Sequence, residues 1–201
     1  MKIIGLCGGS GSGKGTVAAM FSEFGFIHID TDAVYHDITS SKSECLTDLC
    51  YEFGNGILNE VGALDRKKLA KIVFESEDAE KKRLKLNEIA HYHVLKATRE
   101  LIKSYELKGA PVVLVDAPLL FESGFDKECE IIICVTADKD IRKSRIMLRD
   151  SISELAALQR IDSQCSDGYL IEHSDYNIVN NGTTELLFEK VRDVAEKILN
   201  T

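Results

Sequence analysis

The sequence predicts an α/β protein in which helices flank a parallel sheet. Five short apolar runs have the length of buried strands, and they span residues 2–7, 26–29, 111–115, 130–135 and 176–179. Segments with helical periodicity separate these runs, and such alternation is typical of a parallel sheet covered on both faces. The 201 residues are 44% hydrophobic and 29% charged, which is the composition of a globular chain.

The helical segments can be placed in order. The first is predicted over residues 14–24, with Gly25 where a helix would end. Residues 33–107 are predicted to be almost wholly helical, with breaks at Gly54, Gly56 and Gly62. A long charged helix is predicted over residues 77–108. The expected buried stripe of that long helix consists of Leu84, Ile89, Leu101 and Ile102. The remaining helices are predicted over residues 139–150, 153–163 and 185–199.

Composition also excludes several classes of protein. The 25 basic and 33 acidic residues give a net charge of −8, which argues against a nucleic-acid or anionic-membrane binder. The apolar run at residues 3–7 is too short for a signal-peptide core or a membrane span. Six cysteines without CxxC spacing are expected to be reduced and mostly buried. We therefore expect a cytoplasmic protein.

A glycine-rich stretch follows the first predicted strand and opens the first predicted helix. Residues 8–14, Gly-Gly-Ser-Gly-Ser-Gly-Lys, fit the GxxxxGK pattern of a P-loop, in which backbone N–H groups surround a phosphate and the lysine reaches the terminal phosphates. A flexible turn and a dinucleotide-binding turn are weaker interpretations, and the latter gives Lys14 no role. The residues expected to bind ATP are Gly9, Ser10, Gly11, Ser12, Gly13, Lys14, Gly15 and Thr16. The predicted fold class is therefore a P-loop NTPase-type parallel sheet flanked by helices.

One position departs from the usual P-loop. A Ser or Thr commonly follows the lysine and ligates Mg²⁺, but here Gly15 follows it and the hydroxyl comes one residue later, on Thr16. ATP and Mg²⁺ are the expected cofactors. The sequence leaves open whether Thr16 or a water completes the metal shell.

A small-molecule kinase also needs a carboxylate beside the acceptor and arginines near the transferred phosphoryl group. Asp32 follows the second strand, where it can orient an acceptor hydroxyl and take its proton. Asp30 is either a second such carboxylate or a helix cap. Arg142, Arg145 and Arg149 recur at helical spacing, so they either reach phosphates together or form a solvated basic face.

With these residues identified, the chain resembles the dephospho-CoA kinase family along nearly its whole length. Residues 116–124, Asp-Ala-Pro-Leu-Leu-Phe-Glu-Ser-Gly, are the most specific part of the match. The other matching segments are residues 4–14, 29–32, 64–69, 72–74, 174–176 and 180–182, with Arg145, Arg149, Asp150, Arg160, Ile161 and Gln164. Because only Arg145 and Arg149 fit the family pattern, we expect them to matter more than Arg142.

The resemblance implies a three-part fold and a specific reaction. The parts are a core over residues 1–32, 109–140 and 166–201, a helical CoA-binding insertion over 33–108, and a helical lid over 141–165. The reaction is ATP-dependent phosphorylation of the ribose 3′-hydroxyl of dephospho-CoA, the last step of coenzyme A synthesis. The expected catalytic residues are Asp32, Lys14, Arg145 and Arg149, of which the two arginines also bind ATP. The expected acceptor contacts are Asp32, His91, Asp116, Pro118, Leu119 and Glu122.

The acceptor side departs from the family pattern. His36 stands where an Arg is expected, and Tyr92 and Leu95 replace a Pro and an Arg, a loss that Lys96 could offset. Two other functions remain open: a P-loop kinase acting on a nucleoside or nucleotide, supported by the Gly-Lys-Gly-Thr ending, and a nucleotide sensor without turnover. Asp32 argues against the sensor, because a sensor needs no acceptor-side carboxylate.

Overall fold

A computed structural model describes residues 1–200. The strands are β1 (Lys2–Cys7), β2 (Ile27–Asp30), β3 (Val112–Asp116), β4 (Ile131–Thr136) and β5 (Tyr176–Val179). The helices are α1 (Lys14–Glu23), α2 (Thr31–Ser40), α3 (Glu44–Phe53), α4 (Arg66–Glu75), α5 (Ala79–Leu107), α6 (Lys139–Asp150), α7 (Glu154–Asp162), α8 (Asp167–Glu172) and α9 (Thr184–Leu199). Short 3₁₀ turns cover Asn55–Ile57 and Phe125–Glu128.

The five strands form one sheet in the order β2-β3-β1-β4-β5. Strand β1 lies at its centre and pairs in parallel with β3 and β4, and β4 pairs in parallel with β5. All five residues of β3 are buried, as expected for a strand covered on both faces. The predicted α/β class with a parallel sheet and flanking helices is confirmed.

The chain divides into two compact units. The first, called here the nucleotide unit, comprises Met1–Ile29 and the chain from Tyr105 onward, and it includes the predicted lid. Its core joins the sheet to α1 and α9, through side chains such as Phe21 and Val191, which are both fully buried. This packing keeps the start of α1 in a defined place at the end of β1.

The second unit, called here the helical unit, spans Asp30–Ser104. Helices α3 and α4 and the 3₁₀ turn between them bury a separate core that consists of Cys45, Leu49, Ile57, Leu69 and Val73. Side-chain caps begin these helices: Ser43 accepts the N–H of Leu46, and Asp65 accepts those of Lys67 and Lys68.

The predicted buried stripe of α5 is partly wrong. Ile102 is buried, but Leu84 is 66% exposed and Leu101 is 37% exposed. His93 and Thr98 are the other buried side chains of this helix. Burial depends on the presence of a neighbouring surface, and helical periodicity alone does not report where that surface ends.

The sequence also led us to expect reduced cysteines and no membrane-spanning segment. All six cysteines are free, and Cys7, Cys45 and Cys134 are buried while the other three are half-buried. Within residues 1–200, no helix combines the length and the apolar character that a membrane span requires.

Candidate active site

The phosphate loop, residues 8–13, connects the end of β1 to the start of α1. Gly11 and Gly13 have φ values of 78° and 92°, in the left-handed region that side chains with a Cβ disfavour. This conformation places the loop against the amino-terminal end of α1, where the helix dipole favours an anion.

Neighbouring side chains require the loop glycines as well. A Cβ on Gly9 would collide with the Arg142 guanidinium, and one on Gly13 would collide with the Asn180 amide. A Cβ on Gly11 would lie 2.6 Å from the carbonyl oxygen of Arg142. The amino-terminal half of α6 and the residue that follows β5 therefore lie close to the loop and leave no room for a side chain at these three glycines.

Lys14, the first residue of α1, is held by a carboxylate from the neighbouring strand. Its Nζ donates a hydrogen bond to Asp116 Oδ1, and Asp116 ends β3, the strand beside β1. Asp116 is buried, and His28 Nε2 lies 3.8 Å from its other carboxylate oxygen. The ammonium thus offsets the cost of burying the carboxylate, and Asp116 keeps Lys14 at the mouth of the loop.

The three predicted arginines of α6 do not share one environment. Arg145 donates through Nη1 to the carbonyl oxygen of Gly11 at 3.2 Å, and through Nη2 to that of Asn180 at 3.2 Å. Arg142 is buried beside the loop tip. Arg149 is 60% exposed and binds Asp150. Two of the three therefore contact or approach the phosphate loop directly, and the third lies at the far end of the helix.

The Arg149 environment is an ion-pair cluster. Its Nε and Nη2 lie 2.7 and 2.9 Å from the two carboxylate oxygens of Asp150, and Arg160 also donates to that carboxylate. The hydrogen bonds with Arg149 hold the pKa of Asp150 below its ordinary value, and Asp150 in turn raises the pKa of Arg149.

The two carboxylates after β2 have different environments. Asp30 is the N-cap of α2, and its Oδ1 accepts the backbone N–H groups of Asp32 at 2.9 Å and Ala33 at 3.3 Å. The cap interpretation of Asp30 is thus confirmed. Asp32 lies in the first turn of the same helix with an exposed side chain. Asp32 is therefore the more exposed of the two carboxylates, and Asp30 is half-buried with one oxygen engaged in the cap.

The predicted acceptor contacts in the nucleotide unit follow β3. Pro118 and Leu119 are exposed, and Leu119 retains 45% of its accessible surface. Glu122 accepts a hydrogen bond from Cys165 Sγ at 3.2 Å, and this bond raises the pKa of the Cys165 thiol. Exposed apolar residues and a carboxylate thus follow Asp116 along the chain.

The predicted acceptor residue in the helical unit is His91, which is half-buried on α5. Of the residues that depart from the family pattern, Tyr92 is 62% exposed and lies edge-on against His93. Lys96 forms an ion pair with Glu44 at 2.5 Å. The charge of Lys96 is therefore already matched by a carboxylate of α3.

Sequence analysis missed Asn180 as a residue of the phosphate site. Its Nδ2 donates to the carbonyl oxygen of Ser12 at 2.8 Å, across 168 positions of sequence. The Asn-Asn-Gly segment at residues 180–182 was identified as a match to the family's closing strand and turn, without a role at the phosphate site. The available signal was its place at the carboxyl end of a predicted strand, the edge of a parallel sheet where ligand sites collect.

Comparison with known proteins identifies the family. A family model described as dephospho-CoA kinase matches residues 2–185. This chain belongs to the dephospho-CoA kinase family. A curated dephospho-CoA kinase of Fusobacterium nucleatum is 42% identical to this family member over 98% of the chain and 99% of the relative. A second curated dephospho-CoA kinase, from Corynebacterium glutamicum, is 35% identical over 100% of this chain and 98% of the relative.

Solved structures agree with this assignment of the dephospho-CoA kinase family. A crystal structure from Thermus thermophilus has a TM-score of 0.79 and 28% identity, and covers 98% of this chain and 97% of its own. The dephospho-CoA kinase from Campylobacter jejuni has a TM-score of 0.73 and 26% identity, with 98% of each chain covered. Both alignments extend across the nucleotide and helical units.

Proposed function

We propose that this chain transfers the γ-phosphoryl group of ATP to the ribose 3′-hydroxyl of dephospho-CoA, giving coenzyme A and ADP. The observation that carries the proposal is the extent of the family match, since residues 2–185 include the whole helical unit as well as the phosphate loop. A phosphate loop alone is common to many enzymes, whereas the family match also covers the helical unit. The match therefore favours this acceptor over a nucleoside or nucleotide.

The nucleotide unit supplies the ATP site in this proposal. The N–H groups of residues 9–16 and the amino-terminal end of α1 receive the phosphates, and the ammonium of Lys14 binds the terminal ones. Arg145 adds positive charge beside the loop, where its guanidinium already contacts the carbonyl oxygen of Gly11. Phosphoryl transfer needs little covalent chemistry from the protein, so positioning and charge stabilisation provide most of the rate enhancement.

The oxygen donors present fit Mg²⁺. Residues 1–200 contain no group of three or more His, Cys, Asp or Glu side chains that could hold a metal ion. Mg²⁺ is commonly bound through one or two protein oxygens together with substrate phosphates and waters. Thr16, which is exposed in the first turn of α1, would hold it here, directly or through a water. The ion would neutralise charge on the phosphate oxygens.

Asp32 acts on the acceptor in this proposal. Its exposed carboxylate accepts a hydrogen bond from the 3′-hydroxyl and orients the oxygen toward the γ-phosphorus. The new O–P bond forms as the bond to the ADP oxygen breaks, and the hydroxyl proton passes to Asp32. Asp30 contributes only by fixing the turn that presents Asp32.

ADP release by the full chain tests the proposal, with ATP and Mg²⁺ present and with dephospho-CoA, AMP, uridine or pantothenate as acceptor. We expect turnover with dephospho-CoA alone and a product whose mass and 3′-phosphate are those of coenzyme A. Turnover with AMP or uridine in its place would identify a nucleotide or nucleoside kinase. ATP binding without turnover for any acceptor would identify a sensor.

A further inference from the structure

The backbone of Ser10, at the tip of the phosphate loop, is held on both sides by side chains. Arg142 Nε donates to the Ser10 carbonyl oxygen at 2.9 Å. The Ser10 N–H donates to Gln164 Oε1 at 2.8 Å. Both backbone hydrogen-bonding groups of one loop residue are thus engaged by residues more than 130 positions away in sequence.

The two side chains also contact each other and a third. Arg142 Nη2 donates to Gln164 Oε1 at 3.4 Å, so this oxygen accepts two hydrogen bonds. Arg142 Nη1 lies 2.8 Å from Asp167 Oδ1, at the start of α8. We call Arg142, Gln164 and Asp167 the tip clamp. Together they join the loop tip to α6, to the segment after α7 and to α8.

The burial of Arg142 shows that the clamp is a fixed part of the site. Its side chain is 5% exposed, and a buried guanidinium is stable only when its N–H groups have acceptors and its charge is paired. Ser10, Gln164 and Asp167 supply those acceptors. Gln164 is exposed, so it can be replaced without opening a cavity.

The clamp matters because glycines surround Ser10. Gly9 and Gly11 give the loop more backbone freedom than any other residues would, and that freedom must be lost when a phosphate is bound. Contacts that hold the tip before ATP arrives reduce this cost. A Cβ at position 9 would collide with the Arg142 guanidinium. The clamp can therefore pack against the loop only because residue 9 is a glycine.

We propose that Arg142 and Gln164 are positioning residues for phosphoryl transfer, which act by holding the loop tip through Ser10. This proposal rests on the proposed function for the reaction it affects. The resemblance to the family gave Arg142 no role. In this proposal Arg142 acts through Ser10 and does not contact the phosphate. The role predicts that the clamp affects the use of ATP and not that of dephospho-CoA.

The test compares Arg142→Ala and Gln164→Ala with Lys143→Ala in the full chain. Lys143 is the neighbour of Arg142 on α6, and its ion pairs with Asp140 and Glu154 lie outside the loop. We expect each clamp variant to lower kcat/KM for ATP by about 10-fold to 10²-fold, because small displacements of a positioning group have effects of that size. The KM for dephospho-CoA and all constants of Lys143→Ala should stay unchanged.

Two further measurements separate positioning from mere stabilisation. Hydrogen exchange at the Ser10 amide, followed by NMR without ligand, should accelerate in both clamp variants and not in Lys143→Ala. The double variant should be little worse than either single variant, because the two side chains act on the same residue. If Arg142→Ala does not fold, Gln164→Ala still provides the test, since its side chain is exposed.

Several outcomes would overturn the proposal. A lower melting temperature with unchanged kcat/KM for ATP would make the clamp purely structural. Tighter ATP binding by Gln164→Ala would mean that the contact blocks the loop instead of preparing it. If the wild-type chain does not phosphorylate dephospho-CoA, weaker ATP binding and faster Ser10 exchange in both variants would still support the clamp, and only the proposed acceptor would be wrong.

Discussion

The nucleotide unit and the helical unit are built by different kinds of contact. In the nucleotide unit, partners far apart in sequence hold the phosphate loop, as in the bond between Asn180 and Ser12. In the helical unit, the carboxylate assigned to the acceptor is held locally, because Asp30 caps the helix that carries Asp32. The longer-range contacts of this unit, such as Lys96 with Glu44, join helices to one another. The first unit therefore holds its site from several directions, whereas the second presents side chains on helix surfaces.

Because the two units are built differently, substitutions in them should have different effects on ATP binding and on catalysis. Substitutions at the loop should change ATP binding and catalysis together, because loop shape serves both. Substitutions on the helical unit should change catalysis or stability and leave ATP binding intact.

The largest effect is expected for Lys14→Ala. The loop loses the ammonium that binds the terminal phosphates, so kcat should fall by about 10³-fold or more and the Kd for ATP should rise. The variant also leaves the buried Asp116 carboxylate without its cation, which should lower the melting temperature. Calorimetry with ATP and an ADP-release assay measure both effects, with Lys139→Ala as a control on an exposed lysine. Normal turnover by folded Lys14→Ala protein would refute the ATP site.

The next largest effects are expected for substitution of two arginines of α6. Arg145→Ala and Arg149→Ala should each lower kcat by on the order of 10³-fold, the effect of an arginine directed at a transferred phosphoryl group. Arg145→Ala should also weaken ATP binding, because its guanidinium holds loop carbonyl groups. Steady-state kinetics with thermal melting checks both variants. Wild-type kinetics for Arg149→Ala would limit Arg149 to its exposed pair with Asp150.

Asp32→Asn tests the helical unit. Asparagine keeps the size of the side chain but loses the charge and basicity that the acceptor hydroxyl requires, so kcat should fall by about 10²-fold. The Kd for ATP should stay at the wild-type value, which equilibrium binding can measure. If Asp32→Asn also bound ATP more weakly, the expectation that substitutions in the helical unit leave ATP binding intact would be wrong.

The smallest effect is expected for Asp30→Ala. It removes the cap of α2 and should lower the free energy of unfolding by about 1 kcal/mol, with kcat near the wild-type value. Chemical denaturation and the ADP-release assay measure the two quantities. An inactive Asp30→Ala enzyme beside an active Asp32→Asn enzyme would show that the catalytic carboxylate is Asp30.

Local patterns accounted for much of the fold. Helix α6 and strand β5 begin and end at the predicted residues, since alternation, capping and glycine positions are all encoded locally. The six-residue helix α8 was missed because so short a segment has no distinct periodicity. Leu84 and Leu101 were placed in the core wrongly, because their exposure depends on where the neighbouring helices end.

The same limit applies to the site. The phosphate loop is contiguous in sequence and was identified from its spacing. The contacts of Arg142 and Asn180 with that loop depend on the folding of the whole nucleotide unit. The position of Asn180 after a predicted strand indicated the right sheet edge, but it did not indicate the partner. The roles of the individual site residues, Mg²⁺ binding, a cytoplasmic location and the lack of a nucleic-acid partner stay predictions.

The central position of β1 has a consequence for synthesis on the ribosome. This strand emerges before both of its neighbours, because β3 and β4 begin only at Val112 and Ile131. At translation rates of about 5–20 residues per second, roughly 110 residues take about 5–20 s to make. The nascent chain therefore carries an unpaired apolar strand for that interval, while the helical unit, whose core lies within Asp30–Ser104, can already fold. A chaperone that covers β1 during this time would protect the nascent chain from aggregation.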